Sequence, residues 1–446
     1  MTSAMYTGVS GMQAHQMKMD VISNNIANVN TVGYKSQTMS FKEVYNQTLQ
    51  GATGPSDSGR GGTNPMQLGH GVGISSINTI NTQGSMQLTG NSTDFAIDGE
   101  GYFVVQDEGG GYMFTRAGNF GVDNDGNLVT ADGLYVCGWQ EYEVNPDGSY
   151  EFNTNKDPEP INIFSDEYNN NKNNIAPKAT ENVVLNGNLD ASESPEGVAL
   201  DDIGTTSPEP DFTTPFTVYD DLGNDYEVDV NFTKCFVDET DPANPVTTWY
   251  WEMPSDGGTP TASGYLKFDG EGNIIEEAGF ETKIDVVITP DAGTGTGPFP
   301  VTMDFGSISM YGGESSVKTL RTDGYPSGEL KDFYVSPDGV IMGVYSNGKQ
   351  QPLGMVGLAE FSNPAGLERV GNNLFVATPN SGEFTRAYPP GTQGTGTLNV
   401  GYLEMSNVDI SKEFTEMIIT QKGFQANSRI ITTVDQMLEE LINLKR

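Results

Sequence analysis

Cysteine and histidine are nearly missing from this chain, with two of each in 446 residues. Cys137 and Cys235 exclude a disulfide framework and allow one bridge at most. His15 falls in a helix-like segment and His70 in a Gly-rich stretch, so neither has the rigid pocket that a Ser-His-Asp or Cys-His nucleophile requires. Basic residues are scarce as well: 22 Lys and Arg stand against 60 Asp and Glu, a formal charge of −38. Without a basic face to neutralise phosphates, nucleic acid is not an expected partner. No run approaches the ~20 apolar residues that a bilayer-spanning helix needs, so membrane insertion is not expected either. The first residues lack the basic region and the apolar stretch of a cleavable secretory signal. No catalytic residue, cofactor or metal site is expected from this inventory, and an enzyme is not the favoured class.

What the chain does contain is turn-forming residues and acid. With 55 Gly and 24 Pro, the middle reads as β structure broken by many turns. Residues 146–320 hold 33 Asp and Glu against 7 Lys and Arg, 7 − 33 = −26, so most of the acidity sits in one block. A charge of that density keeps a surface soluble by self-repulsion. The sequence DNDGN at 123–127 has its glycine too early for a calcium loop of the EF-hand kind. It reads as a β-turn, as do NPDG at 145–148 and SPDG at 336–339. GEGYF near Gly99 is no phosphate cradle, because no helix follows it.

The two ends carry apolar residues at alternating steps of 4 and 3, the period of a coiled-coil seam. Met5, Val9, Met12, Met19 and Ile26 form the first, with Gln16 and Ser23 as polar gaps. Ile410, Phe414, Met417, Phe424, Ile431, Leu438 and Leu441 form the second, with Gln421 and Ser428 as gaps. Helices are predicted over 3–29, capped by Ser3, and over about 408–444. Amphipathic helices of this kind draw most of their stability from packing. Each is therefore expected to pair with the other and then with further copies. The expected fold is mainly β with terminal α-helices, built as discontinuous nested domains. Residues 1–30 and 405–446 would form a paired, coiled-coil core. An extended connector would follow over 31–70, a first β domain over 71–145 and 319–404, and an inserted acidic outer β region over 146–318.

Four segments together resemble the bacterial flagellar rod and hook family. They are NNIANVNTVGYKS (Asn24 to Ser36), DFAIDGEGYFVV (Asp94 to Val105) with RAGNFGVDNDGNLVTADGLYVCGW (Arg116 to Trp139), FSNPAGLERVGNNLFVATPNSG (Phe361 to Gly382), and the last 46 residues from Gly401. The insertion carries NGNLDA (Asn186 to Ala191), FTVYDDLGND (Phe216 to Asp225) and GYLKFDGEGN (Gly264 to Asn273), which resemble the second β domain of the hook branch.

The resemblance implies a structural subunit that polymerises outside the cell into a short curved tube, a universal joint passing motor torque to the filament. It implies a homopolymer in contact with the distal rod, the hook cap and the hook–filament junction proteins. It also implies export through the flagellar type III apparatus and termini that order on assembly. FKEVY (Phe41 to Tyr45) resembles an element proposed for recognition at the export gate, although Phe41 and Tyr45 could equally anchor the connector. Joints near 51–65, 140–147 and 319–328 would let rigid β blocks tilt. Some spirochaete hooks join neighbouring subunits through a cysteine-derived residue and a lysine, which leaves Cys137 and Cys235 as two candidates. A distal rod subunit and, from another class, an acidic secreted calcium-binding or adhesin-like β protein are the competing readings.

Overall fold

The computed structural model describes residues 2–54, 59, 61–107, 109–145, 149–164, 172–195, 209–238, 245–254, 262–276, 281–290 and 295–444. The chain divides into two compact units, one of Met1–Asn169, Phe333–Gly343 and Gln351–Arg446, the other of Asn170–Asp332 and Val344–Gln350. Both are discontinuous, and the first contains both chain ends. The described part of 146–164 belongs to the first unit and 319–332 to the second.

In the first unit, helix α1 spans Thr2–Ala27 and helix α2 spans Ile410–Leu444. At ~1.5 Å per residue they reach about 39 and 52 Å. Asp409 caps α2: its carboxylate accepts the backbone N–H groups of Ser411 and Lys412 at 2.9 and 3.2 Å, which satisfies donors that the first turn leaves unpaired. Ser3, the expected cap of α1, lies inside the first turn, where its carbonyl accepts the Thr7 hydroxyl. At the other end of α1, Asn24, Asn25 and Asn28 bond locally and to the following segment, and Gly33 turns the chain with φ +68°. Asparagine is a weak helix former that competes with backbone bonding; here that competition ends the helix.

The connector is a ribbon rather than loose chain. Strand β1 (Gln37–Glu43) pairs antiparallel with β4 (Val72–Thr79), and β2 (Asn46–Gln50) with β3 (Met66–Gly69). Of the expected joint at 51–65, residues 55–58 and 60 lie outside the described residues. A single Thr53–Thr63 bridge continues the ribbon beyond β2 and β3.

The β body of this unit is an antiparallel sheet. In spatial order its path runs through Gln350–Val356, Tyr135–Trp139, Tyr102–Gln106, Tyr112–Thr115, Leu374–Val376 and Glu368–Gly371. The run YFVV is apolar without alternation because both sheet faces are covered, and Tyr102, Phe103, Val104 and Val105 are all buried. On one face Phe114 meets Phe361 edge-on at 4.7 Å; on the other Phe103 meets Phe120 at 5.0 Å. Two short pairs return the chain to its start: Phe95–Asp98 with Thr397–Val400, and Met86–Leu88 with Tyr402–Glu404. Of the expected joint at 140–147, Tyr142–Val144 is a strand paired with Tyr150–Phe152, and residues 146 and 147 lie outside the described residues.

The second unit is a β-sandwich. One antiparallel sheet holds Phe212–Tyr219, Asp225–Asp238, Val246–Met253, Ala262–Phe268 and Ile274–Ile275 in that order. The other holds Lys283–Ile288, Phe299–Tyr311, Asn182–Asp190 and Lys318–Thr322, with Asn182–Asp190 parallel to Phe299–Tyr311. Trp249, Trp251, Phe232, Phe268, Met303 and Phe305 fill the space between. Gly264 is required there, since a β-carbon would come within 2.7 Å of the Trp251 indole nitrogen. The expected joint at 319–328 begins inside the strand Lys318–Thr322. The motif D-x-x-G-N recurs at 123–127, 220–224 and 269–273. Each time the Asp carboxylate accepts the N–H groups two and four residues on, and the glycine has positive φ. DNDGN is thus the expected turn.

Candidate assembly site

The two helices run antiparallel and touch along a line of small and polar residues. A β-carbon on Gly8 would lie 3.3 Å from Ile431, one on Gly11 2.7 Å from the Asn427 amide, and one on Gly423 2.6 Å from the His15 ring. Ala14, Ile22, Thr420 and Val434 are buried along the same line, and Lys18 closes it with Glu416 at 2.6 Å. Burial, and after it the neighbouring Lys18, holds the His15 imidazole below its usual range and therefore neutral at neutral pH.

Most of the twelve seam residues flank this line rather than form it. Val9, Ile410, Phe414 and Leu441 are exposed; Met5, Met12, Met19, Ile26, Met417, Phe424, Ile431 and Leu438 are half-buried. Of these, Ile431 meets the partner helix at Gly8. Ile418 and Ile419, both 58 % exposed, extend the uncovered apolar surface of α2. Phe41 meets the His15 ring edge-on at 5.5 Å and lies 5.7 Å below the Lys18 ammonium, so it anchors the ribbon to α1. Tyr45 is exposed and packs against His70 within the ribbon.

Where the helices join the β body, a group of charges is buried that seam counting does not reveal. Lys35 and Glu404 are each 1 % exposed and bond at 2.6 Å; Arg116 bonds the other Glu404 oxygen at 3.3 Å. The Gly84 N–H also donates to Glu404, and the Lys35 ammonium also donates to the Thr82 carbonyl. Arg116 donates to the Gly99 carbonyl and lies over the Tyr102 ring. Burial pulls the Lys35 ammonium below the usual lysine range, against the Glu404 carboxylate, which holds the proton on. Around this knot the Asn25 side chain exchanges two bonds with the Gln37 backbone, and Asn407 accepts the Ser36 N–H while donating to the Ile80 and Thr82 carbonyls. Arg369 stacks on Tyr34 and donates to the Lys35 carbonyl. These residues lie in or beside the quoted motifs, which is the signal that could have found them.

Neither cysteine forms a disulfide, and both are buried. Burial pushes the Cys137 thiol up to about 12. Among the described residues no three His, Cys, Asp or Glu side chains converge on a metal-sized site, and no helix is long and apolar enough to cross a membrane.

Four family profiles match, in chain order. Residues 5–35 match the flagella basal body rod protein, and 96–174 the flagellar hook protein FlgE/F/G D1 domain. Residues 184–325 match the flagellar basal body protein FlaE D2 domain, and 399–444 the flagellar basal body rod FlgEFG protein C-terminal. Helical ends joined at a shared knot, with β units strung between them, together with these profiles define an axial protein of the bacterial flagellum's rod-and-hook class. The chain is 38 % identical to the flagellar hook protein FlgE of Treponema pallidum and 36 % identical to that of Borreliella burgdorferi, over all of this chain and all of each relative. The flagellar basal-body rod protein FlgG of Bacillus subtilis is 29 % identical, also over the full length of both. The chain belongs to the flagellar hook protein family.

Proposed function

We propose that many copies of this chain polymerise outside the cell into the short curved tube of the hook, where the terminal helices form a shared inner wall. The tube passes motor torque to the filament. It joins the distal rod at one end and the hook–filament junction proteins at the other, and it grows beneath a hook cap. One observation carries this reading. The α1–α2 contact uses Gly8, Gly11, Ala14, Thr420 and Gly423, and it leaves Val9, Ile410, Phe414 and Leu441 uncovered. A helix pair that meets through small residues while its large apolar side chains face outward has surface left for neighbouring helices.

The twelve seam residues are assigned to helix packing, Ile431 within the pair and the others against neighbouring copies, with coiled-coil-like packing. The full-length hook-protein relatives, at 36 and 38 % identity against 29 % for a rod protein, favour a hook subunit over a rod subunit. The same reading includes export through the flagellar type III apparatus, with Phe41 and Tyr45 read in the unfolded chain before they fold into the ribbon. The test is to compare the full chain with one trimmed of residues 1–30 and 405–446, concentrated and salted out under an electron microscope. Tubes are expected from the full chain alone. Tubes of equal yield from the trimmed chain would contradict the proposal.

A further inference from the structure

At Glu404 three parts of the first unit meet. It sits in the short strand that leads towards α2, and its carbonyl accepts the N–H of Gly33, on the way out of α1, at 2.8 Å. Its Oε1 takes Lys35 and the Gly84 N–H, and its Oε2 takes Arg116 of the body. We infer that Glu404 is a positioning residue that fixes one geometry of the helix pair on the β body, through the Lys35–Glu404–Arg116 triad.

Specificity and stability are separate matters at this triad. Burying a charge carries a large desolvation cost, and well-packed apolar side chains in place of a buried ion triad are often neutral or stabilising. Two cations on one carboxylate are therefore a poor device for stability alone. What they supply is direction: each bond holds only over a narrow range of distance and angle, whereas apolar contacts are non-directional. Lys35 is spent twice, on Glu404 and on the Thr82 carbonyl, and Arg116 twice, on Glu404 and on the Gly99 carbonyl. A shift of either chain end would break bonds at several points together.

The test measures distance in assembled tubes, in which spin-labelled chains are diluted into an excess of unlabelled chains that are otherwise identical. Spin labels go on cysteines introduced at Gln425 of α2 and Asp132 of the body, both exposed; the buried Cys137 and Cys235 stay unlabelled. The labelled parent should give one narrow distance distribution. Glu404→Gln, which leaves two buried cations without a counter-charge, should lower the melting temperature by roughly 10 °C and broaden the distribution. The triple variant Lys35→Met, Glu404→Leu, Arg116→Met should regain most of the melting temperature and stay broad. A narrow, parental distribution in a folded triple variant would overturn the inference, as would a broad one in the parent. If the triple variant does not fold, Glu404→Asp decides. It keeps the charge but withdraws it by one methylene, so it should shift or widen the distribution while remaining folded, and an unchanged distribution overturns the inference.

Discussion

Gly11 and Asn427 face each other across the helix pair so closely that a β-carbon on Gly11 would lie 2.7–2.9 Å from the Asn427 side-chain amide. Glycine costs a helix interior about 1 kcal/mol relative to alanine. Its place here is therefore a packing matter. Gly11→Ala should be tolerated within about 1 kcal/mol, since the Asn427 amide can rotate and helix propensity improves. Gly11→Leu should part the helices and lower helicity by circular dichroism. An unchanged melting curve for Gly11→Leu would show that the helices do not meet there.

Asp220 is fully buried in the second unit, where its carboxylate accepts Asn224, Tyr226 and Thr296 besides two backbone N–H groups. Burial alone would raise its pKa; the hydrogen bonds outweigh burial and carry it well below the ordinary 3.8. For a depressed carboxylate, the stabilisation is fully present above the unfolded value. It is lost as the pH falls towards the native value. Unfolding of this unit, followed by Trp249 and Trp251 fluorescence, should be flat in stability from pH 7 to about 5 and fall steeply below about 4. Asp220→Asn should cost on the order of 2 kcal/mol at pH 7, with a difference from the parent that shrinks in acid. A difference that stayed constant down to pH 2 would contradict this assignment.

Thiol chemistry should be silent in the native state. Cys137, pushed up to about 12 by burial, holds a thiolate fraction on the order of 1 in 10⁴ at pH 8. Cys235 is buried in the sandwich. Ellman's reagent should find no reactive thiol in the folded chain and two after denaturation. Prompt native reaction at Cys137 would mean that the strand Tyr135–Trp139 opens readily.

Phe414 and Ile418 are 49 % and 58 % exposed on α2. Replacing both with serine should leave the melting temperature of the dilute chain within a few degrees and raise the concentration needed for polymerisation at least tenfold. Equal loss of both would mean that these side chains serve the subunit's own fold.

Much of this architecture was legible from the sequence, and the failures have identifiable causes. The helices could be read because their apolar residues repeat at helical spacing, and the turn at Asp123 because Asp, Gly and Asn fall at fixed offsets. The helix contact was hidden because Gly8, Gly11 and Gly423 read as weak helix positions, whereas seam counting looks for large side chains. The ribbon was masked by its Gly- and Ser-rich tip, although Gln37–Glu43 and Val72–Thr79 pair residue by residue with one bulge. The charge knot lies within the family motifs, but its pairing could not be read. Lys35 and Glu404 stand 369 positions apart, and each looks like an ordinary surface charge until the chain closes.

The most direct test of the account is an electron cryomicroscopy map of the tubes at side-chain resolution. α1 and α2 should line the channel, with Val9, Ile410, Phe414 and Leu441 covered by the helices of neighbouring subunits. Tubes held together by the β units alone, with those four side chains still facing solvent, would contradict it.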